Sequence, residues 1–330
     1  MKKYPMIART AAFTGLLVIS APALATSTLS LTIDNDGAVG SDRDYSSGLL
    51  LGYHSPHWRP DDAPGWLASL ANVLPGSDRQ SISGSLRLGQ MMWTPEDIEQ
   101  PLPPEGERPY AGLLFLEGGL SRFAEDRADR YQLVLGTVGP NAMAEEGQRF
   151  IHFLIGSEEP MGWDSQIENQ LIANLDYRGD RRLAQTPGDW GRTPEISAVA
   201  RARAGNFQSE LALGAMFRWG EQLGGSFASA GFQPGQLVDP GALAGSPRGQ
   251  FLFTGVEGRY RFNDITIEGD RPDDVPDTRI EHWQASVVLG YLYYQPRWGA
   301  SITFEAHSRA YQEADHSVDG YGSVSLFWRW

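Results

Sequence analysis

The chain has 330 residues, of which 27 are basic, 41 are acidic and none is cysteine. A net charge of −14 denies it the basic face that phosphate-rich nucleic acid demands, so no nucleic-acid partner is expected. Stability cannot come from disulfides, and no run of 18 apolar residues offers a membrane-spanning helix.

Residues 1–25 have the pattern of a signal peptide. Lys2, Lys3 and Arg9 are positive, Ala11–Ile19 is apolar, and Ala23-Leu24-Ala25 is a cleavage site of the A-x-A kind. Residues 26–330 then form one domain. Cleavage removes three of the 27 basic residues and leaves 24 against 41 acidic ones, a net of −17, with no lysine remaining. Acidity of this size is accounted for by solvated loops, or by divalent cations held at an anionic surface.

Strand-like alternation follows along the whole length. Leu29, Leu31 and Ile33 alternate with Ser30, Thr32 and Asp34. Similar segments are 46–54, 82–93, 110–122, 131–138, 169–178, 195–204, 208–219, 250–262, 280–292, 299–309 and 321–330. In the last, Gly322, Val324, Leu326, Trp328 and Trp330 share one face, and Ser323, Ser325, Phe327 and Arg329 the other. Twelve such segments, each near the length that crosses a bilayer at a tilt, predict an all-β fold: a transmembrane outer-membrane β-barrel of about 12 antiparallel strands. Helices are expected at Gly65–Leu74 and Ala142–Ile155. Ile265–Glu268 is expected as a short extra strand or an inward fold. The first helix lies in a long connection, 55–80, on what should be the periplasmic side, and packing into or under the lumen would accommodate it.

With both termini periplasmic, the connections after strands one, three and five face outward together. They carry Asn35-Asp36-Gly37 through Tyr45, then Thr94–Arg108, then Gly139–Asn169 with Gln148, His152, Glu158, Glu159 and Trp163. Asn35 and Asp36 offer hard oxygen donors of the kind calcium prefers, although Asn-Asp-Gly at a strand end is also an ordinary turn. His152 stands six residues before Glu158, and a carboxylate near an imidazole fixes its tautomer and raises its basicity. A loop histidine can equally be merely solvated. His307-Ser308 and His316-Ser317 suggest His–Ser pairs but lack an evident third partner. There is no G-x-S-x-G elbow and no H-E-x-x-H.

Several ordered motifs resemble one family. They are Asn35-Asp36 followed by Ser41-Asp42-Arg43-Asp44-Tyr45-Ser46-Ser47-Gly48; Gly89-Gln90-Met91-Met92-Trp93-Thr94-Pro95; and Arg108-Pro109-Tyr110-Ala111-Gly112. Gly136–Pro140, Gln148 with His152, and Pro160-Met161-Gly162-Trp163 with Gln166 complete the set. Together they resemble the LpxR-type lipid A 3′-O-deacylases of the Gram-negative outer membrane, strongly over 30–180 and weakly beyond. The resemblance implies a twelve-stranded barrel, present as a monomer, that hydrolyses the 3′-linked acyloxyacyl ester of lipid A in lipopolysaccharide with the aid of Ca²⁺. It implies Asn35 and Asp36 as the metal pair, His152 as general base and Glu158 as its supporting carboxylate. The family also uses a lysine near the site; here Arg87 or Arg108 would have to supply that cation, and arginine is planar and permanently charged. A porin, a lipopolysaccharide-binding barrel and an outer-membrane phospholipase are the competing possibilities.

Overall fold

The computed structural model describes residues 27–40, 43–75, 80–155, 159–188 and 191–330. The expected signal peptide and Glu158 lie outside the described residues. Twelve antiparallel strands close into a barrel in chain order: β1 (Thr28–Asn35), β2 (Asp44–His54), β3 (Ser81–Thr94), β4 (Ala111–Phe123), β5 (Arg127–Val138), β6 (Gln170–Gln185), β7 (Thr193–Gly205), β8 (Gln208–Glu221), β9 (Gly249–Asp264), β10 (Trp283–Tyr294), β11 (Trp298–Ser308) and β12 (Val318–Arg329). β1 closes on β12 from Thr28 opposite Arg329 to Asn35 opposite Gly322. All twelve expected strands form. β6 runs further than its apolar alternation suggested, through Arg181 and Arg182 to Gln185.

The period of two explains the wall. Outward positions are apolar and remain half exposed, such as Leu49, Leu51, Leu86, Leu88 and Leu133. Inward positions are polar and buried, such as Thr32, Asp34, Glu117, Arg201, Glu210 and Glu257. A water-soluble barrel would reverse that order; apolar outside and charged inside fits a wall set in lipid. Both ends of the chain meet at one rim, where Ser27 N donates to Trp330 O at 2.9 Å. The hairpins at that rim include the short connections 124–126 and 295–297, whereas the opposite rim carries the long segments 95–110, 139–169 and 265–282. The rim of the termini, which also carries the long connections 55–80 and 222–248, is read as periplasmic, and the opposite rim as the outward one.

Among the described residues, three α-helices sit at the rims: α1 (Gly65–Val73), α2 (Ala144–Ile155) and α3 (Ile265–Glu268). One sequence expectation is narrowed here and another needs correction. Ile265–Glu268 is a helical turn and not a strand, because the Asp264 carboxylate accepts from Thr266 N at 3.0 Å and caps it; it folds inward, with Thr266 and Ile267 lining the cavity inside the mouth. The helix at 65–73 does not enter the lumen or lie beneath it. It packs on the outside of the wall: Leu67 lies over Gly84, an outward position of β3. Arg122, outward on β4, donates to the carbonyls of Ala71, Leu74 and Pro75.

The lumen is filled instead by the connection 222–248. It enters from the periplasmic rim and reaches Asp34, whose carboxylate accepts from Gly235 N at 2.7 Å. A buried loop must find donors for its carbonyls, and inward arginines of the wall supply them. Arg130 donates to Ala228 O, Arg178 to Ala230 O, Arg218 to Ser226 O, Arg87 to Gly235 O and Arg329 to Leu243 O. The same arginines pair with carboxylates, as Arg130 does with Asp180 (2.9 Å) and Asp239 (2.8 Å).

Candidate active site at the outward rim

The outward rim has two compartments, one inside the wall and one outside it. Inside, Asp44 opens β2 with a left-handed φ of 65° and pairs with the Arg108 guanidinium. Arg108 also donates to Thr266 Oγ1 at 2.9 Å. Burial lowers the Arg108 pKa to about 10, yet it remains charged at neutral pH. His307 Nε2 lies 3.3 Å from Asp44 Oδ2, and Asp319 is held by Arg43 at 2.8 Å and His316 at 2.5 Å. The Arg43 pKa is raised, chiefly by its hydrogen bond to Asp319. Asp44, His307 and Asp319 bring ligating atoms within 4.8 Å of one another, as do Glu96, Asp315 and His316. The carboxylates of the first group are already paired with the Arg108 and Arg43 guanidiniums, which makes that group a brace across the mouth. The cavity beneath it holds about 90 Å³ among Arg201, Arg203, Arg259, Arg261, Glu210 and Glu305. A lipid does not fit there.

Outside the wall, one cross-strand row runs Gly322, Asn35, Ser47, Met92, Gly112 across β12, β1, β2, β3 and β4. Both ends of this row are roofed. At one end the 3₁₀ turn Asp36–Val39 folds back so that Ala38 lies over Gly322, where a Cβ would stand 2.5 Å from the Ala38 methyl. At the other end α2 lands on Gly112, where a Cβ would stand 2.5 Å from the Ala144 methyl. Glycine at each position lets the roof approach the wall. With strands about 4.8 Å apart, roughly 14 Å of wall separates Asn35 from Gly112. Between the roofs lies a cradle floored by Asn35 and Ser47, and Met92 is buried under the edge of α2 beside Ala144.

The sequence-expected residues border this cradle. Asn35 is exposed on the outward side of β1, and Asp36 is buried at the start of the adjoining turn. Asn35 Nδ2 donates to Ser46 O at 3.2 Å, which turns Oδ1 toward Gly37 and the 3₁₀ turn. An amide oxygen and a carboxylate are donors a hard cation accepts, so their chemistry fits calcium, with other ligands left to carbonyls, water or substrate. His152 is partly buried on α2, one and two turns beyond Gln148 and Ala144. Spacing by four puts all three on one helical face, and Ala144 fixes that face toward the wall. Gln148 is locked by Trp163 Nε1, which donates to Gln148 Oε1 at 2.7 Å; Trp163 in turn packs on Tyr110 at 5.0 Å. The motifs at 108–112 and 160–166 thus serve to clamp α2.

Other expectations fail. Arg87 points into the lumen and pairs with Glu117 at 2.5 Å, and Arg108 is sealed against Asp44 and Thr266, so neither reaches the outer cradle as a substitute for lysine. His307 turns to Asp44, and Ser308 Oγ instead accepts from Ala285 N at 3.0 Å, so that His–Ser pair does not form. Sequence reasoning overlooked Ser47, whose place in the row follows from a bulge between Tyr45 and Ser47 that alternation does not reveal.

Comparisons with known proteins agree with this architecture. The model of the family described as outer membrane protein LpxR matches residues 10–330. Among solved structures, LpxR from Salmonella typhimurium superimposes with a TM-score of 0.75 at 19% identity, covering 91% of this chain and 99% of that one. The β domain of the Bordetella autotransporter BrkA gives a TM-score of 0.40 at 9% identity, covering 93% and 98%. An outer-membrane channel from Pseudomonas putida F1 gives 0.43 at 10% identity, covering 94% and 97%. No curated protein matches the sequence.

Proposed function

Because the chain belongs to the LpxR family of outer-membrane proteins, we propose that it is a lipid A 3′-O-deacylase, a carboxylic ester hydrolase working from the outward leaflet. The observation that carries this reading is the roofed cradle on the lipid side of the wall, with Asn35 and Asp36 at one flank and the His152 face of α2 at the other. A substrate embedded in the outer leaflet reaches it laterally. The far side of α2 exposes Phe150 and Phe153, at 62% and 83%, which suits a helix lying among acyl chains.

The residues divide the work as follows. Neutral His152 accepts a proton from water as the water oxygen adds to the ester carbonyl. The tetrahedral intermediate collapses, the sugar 3′ oxygen leaves, and the imidazolium returns the proton to it. The products are a free fatty acid and a hydroxyl. Glu158 is assigned to orient the imidazole. Asn35 and Asp36 would hold Ca²⁺, which when bound polarises the carbonyl and stabilises negative charge. Ser47, the hydroxyl of the row beside Asn35, is assigned to donate to the developing oxyanion. With no lysine and with Arg87 and Arg108 committed elsewhere, oxyanion stabilisation falls to Ser47 and the cation.

Fatty-acid release from lipid A by the purified barrel tests the reading. His152→Ala should slow release by about 10²–10⁴-fold while the barrel keeps its heat-modifiable mobility. Release at the wild-type rate by a folded His152→Ala protein refutes the assignment.

A further inference from the structure

α1 makes a second roof on the outer wall, at the opposite rim. Its Leu67 and Ala71 are buried against Ile82 and Leu120, outward residues of β3 and β4. Trp66 and Val73 nevertheless remain exposed, at 70% and 82%. A helix apolar on the side away from its own barrel is not built to face water; it suits the boundary between headgroups and acyl chains. Trp58, Tyr131 and Tyr53 around it are the residue types of an interfacial belt.

Directly beyond α1, toward the membrane centre, a cavity of about 710 Å³ is cut into the wall. Its floor is a single cross-strand row: Tyr53, Leu86, Gly118, Leu133, Leu175. Gly118 makes the depression, since a Cβ built there meets nothing within 4 Å. Leu86 and Leu133 stand on either side, and Trp66 and Leu70 of α1 close the periplasmic side. The volume falls in the roughly 300–1,000 Å³ range of ligand pockets, and almost everything lining it is apolar.

We infer that this slot binds one acyl chain of a glycerophospholipid from the periplasmic leaflet. The occupant follows from position. The slot is continuous with the lipid-facing belt through Leu86 and Leu133, both about half exposed, and it lies at the rim where the chain termini meet, away from the leaflet that holds lipid A. A smooth wall contacts a chain on one side only. Here Gly118 below, the leucines beside it and α1 at its end bury more of the chain, so this lipid exchanges more slowly than its neighbours. The inference rests on the barrel and its orientation and is independent of the proposed hydrolysis.

Native mass spectrometry of protein released from outer membranes in mild detergent reads the slot directly. The wild type should retain one glycerophospholipid per barrel, and Gly118→Leu, which fills the floor, should retain it about tenfold less. Gly258→Leu is the control, because Gly258 is likewise an outward glycine with nothing within 4 Å of its Cβ, on β9 and away from α1. It should retain the lipid fully. Heat-modifiable mobility reports folding; should Gly118→Leu fail to fold, Trp66→Ala opens the end of the slot and is read in the same way. Absence of phospholipid from the wild type, its replacement by lipid A, or equal retention in the filled variant would overturn the proposal.

Discussion

Gly112 illustrates how one missing side chain positions a helix. Gly112→Leu would place four carbons where the Ala144 methyl stands, so α2 must lift from β4. The expected result is loss of deacylation to near that of His152→Ala, with the barrel intact by heat-modifiable mobility; unchanged activity would show that α2 need not touch the wall there. Arg108 is the opposite case, a residue whose role is structural. Arg108→Met leaves the Asp44 carboxylate buried beside His307 without its cation, and breaking such a pair costs about 3–5 kcal/mol. Denaturant titration should show that loss, and Asp44→Asn in the same chain should recover part of it. The motif at 108–112 was legible in the sequence, but its purpose was not. Arg108 appeared as a possible replacement for lysine because spacing reports which residues recur together, not which side of a wall they face. His152 and Asn35 were legible as candidates because they fall on connections that leave one rim.

At the scale of elements, alternation carried the strands well, since each outward apolar position answers an inward polar one. It failed for the connection 222–248, which has no periodicity and whose carbonyls are served by arginines of five strands. Arg87, Arg130, Arg178, Arg218 and Arg329 are inward residues that look like solvated lumen until the carbonyls they serve are known. This plug predicts that the wild type conducts no ions in planar bilayers, whereas replacing residues 227–243 by a short Gly/Ser linker opens steady conductance. Conductance by the intact protein would show that the plug does not seal. At the plug's periplasmic side His57 stacks on Phe123 at 4.5 Å and its Nε2–H donates to Gly241 O at 2.8 Å. Burial lowers the His57 pKa below its usual 6.5. The unfolded chain therefore binds the proton first: the contribution of His57 is complete above pH 6.5 and is lost as pH falls below it. Thermal unfolding should accordingly drop between pH 7 and 5, and the drop should shrink in His57→Gln. An equal drop in both would place the sensitivity elsewhere.

Over the whole molecule, charge and chemistry occupy different places. The lumen holds paired charges such as Arg201 with Glu210 (2.9 Å) and Glu257 (2.6 Å) and is closed by the plug. Both roofed surfaces, at α1 and at α2, lie on the lipid side. The barrel is thus a scaffold that presents its cradle laterally to one leaflet, and the connection 222–248 occupies the lumen that a porin would leave open. The sequence pointed to the twelve strands and the rim, but not to the outer face of the wall as the working surface, because that depends on which way the Asp36–Val39 turn and α2 fold after leaving their strands. The most direct test is the mass of lipid A from cells carrying the wild-type protein or His152→Ala, with calcium added or chelated. Lipid A should lose the 3′ acyloxyacyl mass with the wild type in calcium, and should lose none with His152→Ala or after chelation. Unchanged lipid A with the wild type, or the same loss with His152→Ala, would contradict the assignment.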